Sequence, residues 1–138
     1  MDTAEIPLLA MLRGRLNYLT QRQQVIAENV ANADTPGFAP RELTPFQFQA
    51  QMQTAQAAGP QAMAATEPGH MAPPHAGTEA AKPIITRDSE TRLDGNSVVL
   101  EEEMMKMGQA RMDYDAAITF YQKALSLIRL AARAPGHS

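Results

Sequence analysis

Apolar residues recur at steps of three and four near both ends of the chain, and the long stretch between follows no such period. From residue 6 to 32 they fall at Leu9, Leu12, Leu16, Leu19, Ile26 and Val30, with Gln23 in the slot that breaks the run. That spacing places one stripe on a helix, in a heptad-like seam. Pro7 suits the first turn, where its missing N–H costs nothing. The stop is Asn32-Ala33-Asp34-Thr35-Pro36-Gly37, in which Thr35 precedes proline and so avoids the α region. At 1.5 Å per residue such a helix is about 40 Å long.

A second helix is predicted over 98–133. Its seam runs Leu100, Met104, Met107, Arg111, Tyr114, Ile118, Tyr121, Leu125, Ile128, and a flanking stripe carries Met105, Met112, Phe120 and Leu127. Glu101, Glu102 and Glu103 sit at the positive end of its dipole, where a solvated helix start explains them, and Arg129 and Arg133 sit at the negative end. Pro135-Gly136 closes it.

Residues 34–97 hold eight of the ten prolines. Ala and Gln allow a transient helix over 48–58, and Gly59 to Pro83 reads as disordered. Ile84, Ile85 and Thr86 suit a short strand, and Asp94-Gly95-Asn96 a turn. The expected fold is all-α: two long terminal helices in a coiled-coil-like hairpin, a largely disordered middle, and at most a short strand or turn. The divisions fall at 1–33, 34–97 and 98–138.

A two-helix hairpin is thin, and few buried residues supply only a few kcal/mol of core. The flanking stripe has no partner in a bare hairpin, which points to assembly with further subunits. Two readings compete on spacing alone: an ordinary bundle core, and a contact between subunits. The methionines at 104–107 and 112 likewise suit gap-filling or an adaptable binding surface.

Composition removes other classes. Net charge is −3, and the acidic surplus lies in the middle. Neither end forms a basic patch, so no nucleic-acid footprint is present. No stretch approaches the roughly 20 apolar residues of a membrane span, so no direct membrane insertion is expected. The start, Met1-Asp2-Thr3-Ala4-Glu5, lacks a basic signal-peptide n-region. There are no cysteines, hence no disulfide and no thiolate site. His70, His75 and His137 have no ligand at helical spacing, so no metal is expected. No phosphate loop, nucleophile elbow or HExxH occurs. The expectation is a non-enzyme with no catalytic residues and no cofactor.

Two segments then carry a resemblance. Glu28-Asn29-Val30-Ala31-Asn32-Ala33-Asp34-Thr35-Pro36-Gly37-Phe38 ends a helix in Asn-x-Ala-Asn, followed by Thr-Pro-Gly and an aromatic. Asp94-Gly95-Asn96-Ser97-Val98-Val99-Leu100-Glu101-Glu102-Glu103-Met104 leads into the tyrosine-bearing helix. Both are similar to the flagellar basal-body rod protein family, and Thr66-Glu67-Pro68-Gly69-His70-Met71 resembles a weaker mid-chain motif of it. The motif residues are Asn29, Ala31, Asn32, Thr35, Pro36, Gly37, Phe38, Asp94, Gly95 and Asn96. Val99 departs from the family, where relatives often carry a capping Asp.

The resemblance implies a structural subunit of the proximal rod in the periplasm, exported by the flagellar type III apparatus without a cleaved signal. It implies partners: other copies, FliE, FlgC-like and other rod subunits, and the surrounding membrane ring. Assembly through terminal helices would transmit torque. It also favours an antiparallel hairpin, with Leu9 near Ile128 and Leu16 near Tyr121. The rival readings are an FlgC-like subunit, against which Ala-Asp-Thr-Pro-Gly-Phe argues, and a cytoplasmic coiled-coil adaptor. Within the motif, Asn29 and Asn32 suit helix-end carbonyls, and Pro36-Gly37 suits a type II turn with glycine at φ > 0, from which Phe38 folds back onto the helix.

Overall fold

A computed structural model describes residues 7–47 and 81–133. The chain runs α1 (Pro7–Ala31), β1 (Arg41–Leu43), β2 (Pro83–Ile85) and α2 (Leu100–Arg133). The two helices pack along each other as the expected hairpin. They run antiparallel: Asn29, near the end of α1, bonds Glu103 at the start of α2, and Leu8 and Leu12 share a groove with Ala124, Leu127 and Ile128. The Asn29–Glu103 bond marks the level at which the end of α1 meets the start of α2.

On α1 the expected stripe is the buried one for Leu9, Leu12, Leu19 and Ile26, while Leu16, Gln23 and Val30 are half-buried. Met11, Gly14 and Asn29 are buried as well. On α2 the face turned to α1 differs from the expected seam. Met107, Tyr114, Tyr121 and Ile128 are half-buried on it, as are Ile118 and Leu125. Leu100 and Met104 are exposed, and so is Arg111. The fully buried positions of α2 are Glu103, Ala110 and Ala117. The reason is steric: where helix axes come closest, small side chains fill the contact and large ones lie to the sides. A sequence reading that weights large apolar residues therefore centres the stripe one position too far along.

A small two-stranded ladder lies beside the hairpin. β2 pairs antiparallel with β1, Arg41 opposite Ile85 and Leu43 opposite Pro83. The expected strand over 84–86 is thus shifted by one residue and gains a partner in Arg41-Glu42-Leu43. The ladder lies on α1 through the buried Leu43 and an ion pair from Arg22 to Glu42 at 3.1 Å. Burial opposes the Arg22 charge, but its bond to Glu42 outweighs this and raises its pKa. Tyr18 and Phe46 meet at 5.4 Å between ring centroids, and burial pushes the Tyr18 phenol up. The helix and disorder expected over 48–80, the mid-chain motif, and the stop at Pro135-Gly136 lie outside the described residues.

Candidate functional site

The motif residues converge where α1 ends and α2 begins. α1 closes with Asn32: its Nδ2 donates to the carbonyl of Glu28 at 2.8 Å, beside its own N–H, and its Oδ1 accepts from Thr35 Oγ1 at 3.1 Å. The chain then turns. Phe38 N–H donates to Thr35 O at 3.2 Å, and Gly37 sits at φ 72°. Both features fit a type II turn with Pro36 and Gly37 at its centre. Phe38 is half-buried, while Ala31, Thr35, Pro36 and Gly37 face solvent.

The Asp94-Gly95-Asn96 turn docks on this one. Gly37 N–H donates to Asp94 O at 3.0 Å, and Ser97 N–H donates to Phe38 O at 3.0 Å. Gly95, at φ 83°, lies so close that a Cβ there would stand 3.3 Å from the Gly37 Cα. Asn96 is fully buried. Its Nδ2 donates to Asn32 O at 2.9 Å and Thr35 O at 2.7 Å, and its Oδ1 accepts from Val98 N–H at 2.9 Å. One amide thus adds a bond to two turn carbonyls just beyond the end of α1 and steadies the approach to α2.

Asn29 does not serve helix-end carbonyls, contrary to expectation. It points across the hairpin. Its Nδ2 donates to Arg41 O at 2.8 Å and to Glu103 Oε2 at 2.9 Å, while its Oδ1 accepts from Arg41 N–H at 2.9 Å. Glu103, expected in solvent, is fully buried. Its Oε1 accepts from Lys106 Nζ at 2.7 Å. Lys106 Nζ also donates to Asp88 Oδ1 at 2.8 Å, and Asp88 Oδ2 accepts from Val99 N–H at 2.8 Å. Val99 directly precedes α2, and its carbonyl takes the Glu103 N–H. Asp88 thus satisfies the N–H of Val99 itself, the residue just before α2. Of the neighbouring acids, Glu102 bonds Ser89 and Glu101 faces solvent. Among the described residues no buried side-chain polar atom lacks a partner.

A second surface lies on the outside of α2. Met105, Met112, Phe120 and Leu127, the stripe without a place in a bare hairpin, are all exposed, as are Met104 and Leu130. Where the helices diverge, Leu8, Leu12, Ala117 and Phe120 border an apolar groove of about 600 Å³. Among the described residues, no acidic or histidine group is placed to hold a metal ion, and no helix is long and apolar enough to cross a membrane.

The flagella basal body rod protein family model matches residues 9–38, the span from the first buried leucine of α1 to the end of its turn. The chain is 34% identical over 116 residues to the flagellar basal body rod protein FlgB of Agrobacterium fabrum, covering 80% of this chain and 81% of that one. It belongs to the FlgB family of flagellar basal body rod proteins. The FlgB of Salmonella typhimurium is 29% identical, with 75% and 77% covered. That of Buchnera aphidicola is 25% identical, with 80% and 82% covered. A member of the FlgB family is a structural component of the flagellar basal body rod, which places this chain in the motility apparatus.

For this FlgB-family chain the sequence reading marked Asn29, Asn32, Asn96 and both turn glycines but missed Glu103, Lys106 and Asp88. The available signal was Lys106, three residues after Glu103 on the same helix face. Burial opposes the Lys106 ammonium, but its hydrogen bonds to Asp88 and Glu103 prevail and raise its pKa above 10.5. A raised folded-state value means that the fold holds this proton more tightly than the unfolded chain does. Its stabilisation is fully present below pH 10.5 and is lost as pH climbs through the folded-state value. Melting temperature should therefore fall above that pH, and fall less steeply in a Lys106→Met variant. Parallel alkaline profiles for the two proteins would refute this.

Proposed function

We propose that this chain builds the proximal part of the rod by packing the outward faces of its two terminal helices against neighbouring subunits, so that the assembled helices carry torque. The observation that carries this reading is the row of exposed large apolar residues along α2, Met105, Met112, Phe120 and Leu127. Such a row on a thin hairpin is stable in water only when another chain covers it. The hairpin itself uses Leu9, Leu12, Leu19 and Ile26, leaving the outer stripe for neighbours. Leu100 and Met104, exposed at the start of α2, belong on this reading to the same intersubunit surface.

The neighbours are further copies and other axial subunits, FliE and FlgC-like proteins among them, inside the membrane ring. The site is periplasmic, and export proceeds through the type III apparatus without cleavage. On this reading the chain performs no catalysis and needs no cofactor. The two helical ends are the assembling parts, and the segment between them, 34–97, is accessory.

The test is charge placed on the stripe. Met112→Glu, Phe120→Glu and the double variant should keep normal expression and helix content, since both side chains are mostly exposed. Motility should be lost, and the protein should be missing from purified hook–basal bodies. Normal swimming of the double variant would refute assembly through this face.

A further inference from the structure

Part of the apolar contact between the helices repeats by the heptad and so hardly distinguishes one axial register from another. On α2 the positions turned to α1 repeat Ala110, Ala117, Ala124 at seven-residue intervals. On α1 the matching buried series is Leu12, Leu19, Ile26. Sliding one helix by a heptad puts alanine where alanine was and a branched aliphatic where another stood. Packing of this kind is nearly degenerate between registers, and coiled coils resolve the degeneracy with a buried polar residue that must find its match.

We infer that the polar chain Asn29–Glu103–Lys106–Asp88, fully buried at its Asn29–Glu103 end, is a register lock, which selects one axial alignment of the two terminal helices. Asn29 and Glu103 bond each other at 2.9 Å with exposures of 1% and 0%. Slid by one heptad, Asn29 would face Ala110, whose methyl accepts nothing, and Glu103 would lose one of its two partners. A buried group left without a partner is strongly unfavourable. The lock is anchored on both sides. Asn29 also holds both backbone groups of Arg41, and Asp88 holds Lys106 and the start of α2. These residues act as positioning residues: they decide which outer side chains of α1 and α2 stand side by side, whatever later packs on them.

The chain has no cysteine, so two labels can be placed cleanly. Gln24→Cys and Gln122→Cys lie on exposed positions of α1 and α2, well apart along the axis. Spin labels on the purified full chain report their separation by pulsed dipolar spectroscopy. With the lock intact, one narrow distance is expected. In Asn29→Leu with Glu103→Leu, helix content should persist while a second population appears, displaced by about 10 Å, the rise of one heptad. In Asn29→Asp, where two carboxylates would meet, the original distance should lose most of its population. A broad distribution with the lock intact would overturn the proposal. So would a single unchanged distance in the variants, with Asn29→Asp deciding alone if the leucine pair does not fold.

Discussion

Asn29→Ala is expected to unfold the hairpin at ambient temperature and abolish motility, although it removes only one uncharged side chain. Three hydrogen bonds end on that amide. Truncation leaves the Arg41 backbone groups and one oxygen of the buried Glu103 without their partners. Leaving a buried polar group without its partner costs about 1–3 kcal/mol, and more when that group is charged, while a core of this size has only a few kcal/mol to lose. Asn32→Ala is the internal comparison. Asn32 is part-exposed and its carbonyl partner can turn to water, so about 1 kcal/mol is expected. Urea melts of the two full-length variants, followed by circular dichroism, give both values. A loss for Asn29→Ala no larger than that for Asn32→Ala would contradict the role assigned to the buried amide.

Gly95→Val should be the second most damaging change, and more damaging than Gly37→Val. Both glycines lie in the left-handed region, at φ 83° and 72°. A β-branched residue is strained there by about 1–2 kcal/mol or more. Gly37 has open space where a Cβ would go, whereas Gly95 has the Gly37 backbone at 3.3 Å. Backbone cannot step aside as a flexible side chain can, so the docked turns must separate. Their separation would also withdraw Asp94 O from Gly37 N–H and Asn96 from the end of α1. The expected losses are about 3 kcal/mol for Gly95→Val and about 1–2 for Gly37→Val. Gly37→Asn should lose least, because asparagine tolerates this region. Thermal melts of the three proteins rank them, and motility should follow the same order. A Gly37→Val variant as unstable as Gly95→Val would show that backbone strain alone, and not the contact of the two turns, governs this junction.

The features legible in the amino-acid sequence are those whose cause is local. Helical period, Pro7 at the start and Thr35-Pro36 at the stop placed α1 within a residue or so. The Pro36-Gly37 pair announced a turn with positive φ, and Asp94-Gly95-Asn96 announced its neighbour. The outer stripe of Met105, Met112, Phe120 and Leu127 was recognisable as surplus, because periodicity alone shows more apolar width than one partner can cover. Asn32 at a helix end also followed from spacing.

What only the tertiary structure decided depends on partners far apart in the chain. Asn29 and Glu103 are 74 residues apart, and the local pairing of Glu103 with Lys106 does not announce that the carboxylate also meets a buried amide. Asp88 bonds the Val99 N–H from eleven residues earlier in the chain, outside the reach of any capping signature. β1 is three residues long, too short to show alternation, and exists because β2 and α1 offer it partners. The face of α2 turned inward was set by Ala110 and Ala117, since close approach of two helices favours small side chains over the large apolar ones by which a seam is read. Periodicity specifies that a helix has a buried side; which residues occupy its centre, and in what register, is fixed by steric fit and by the hydrogen bonds that buried polar groups must complete.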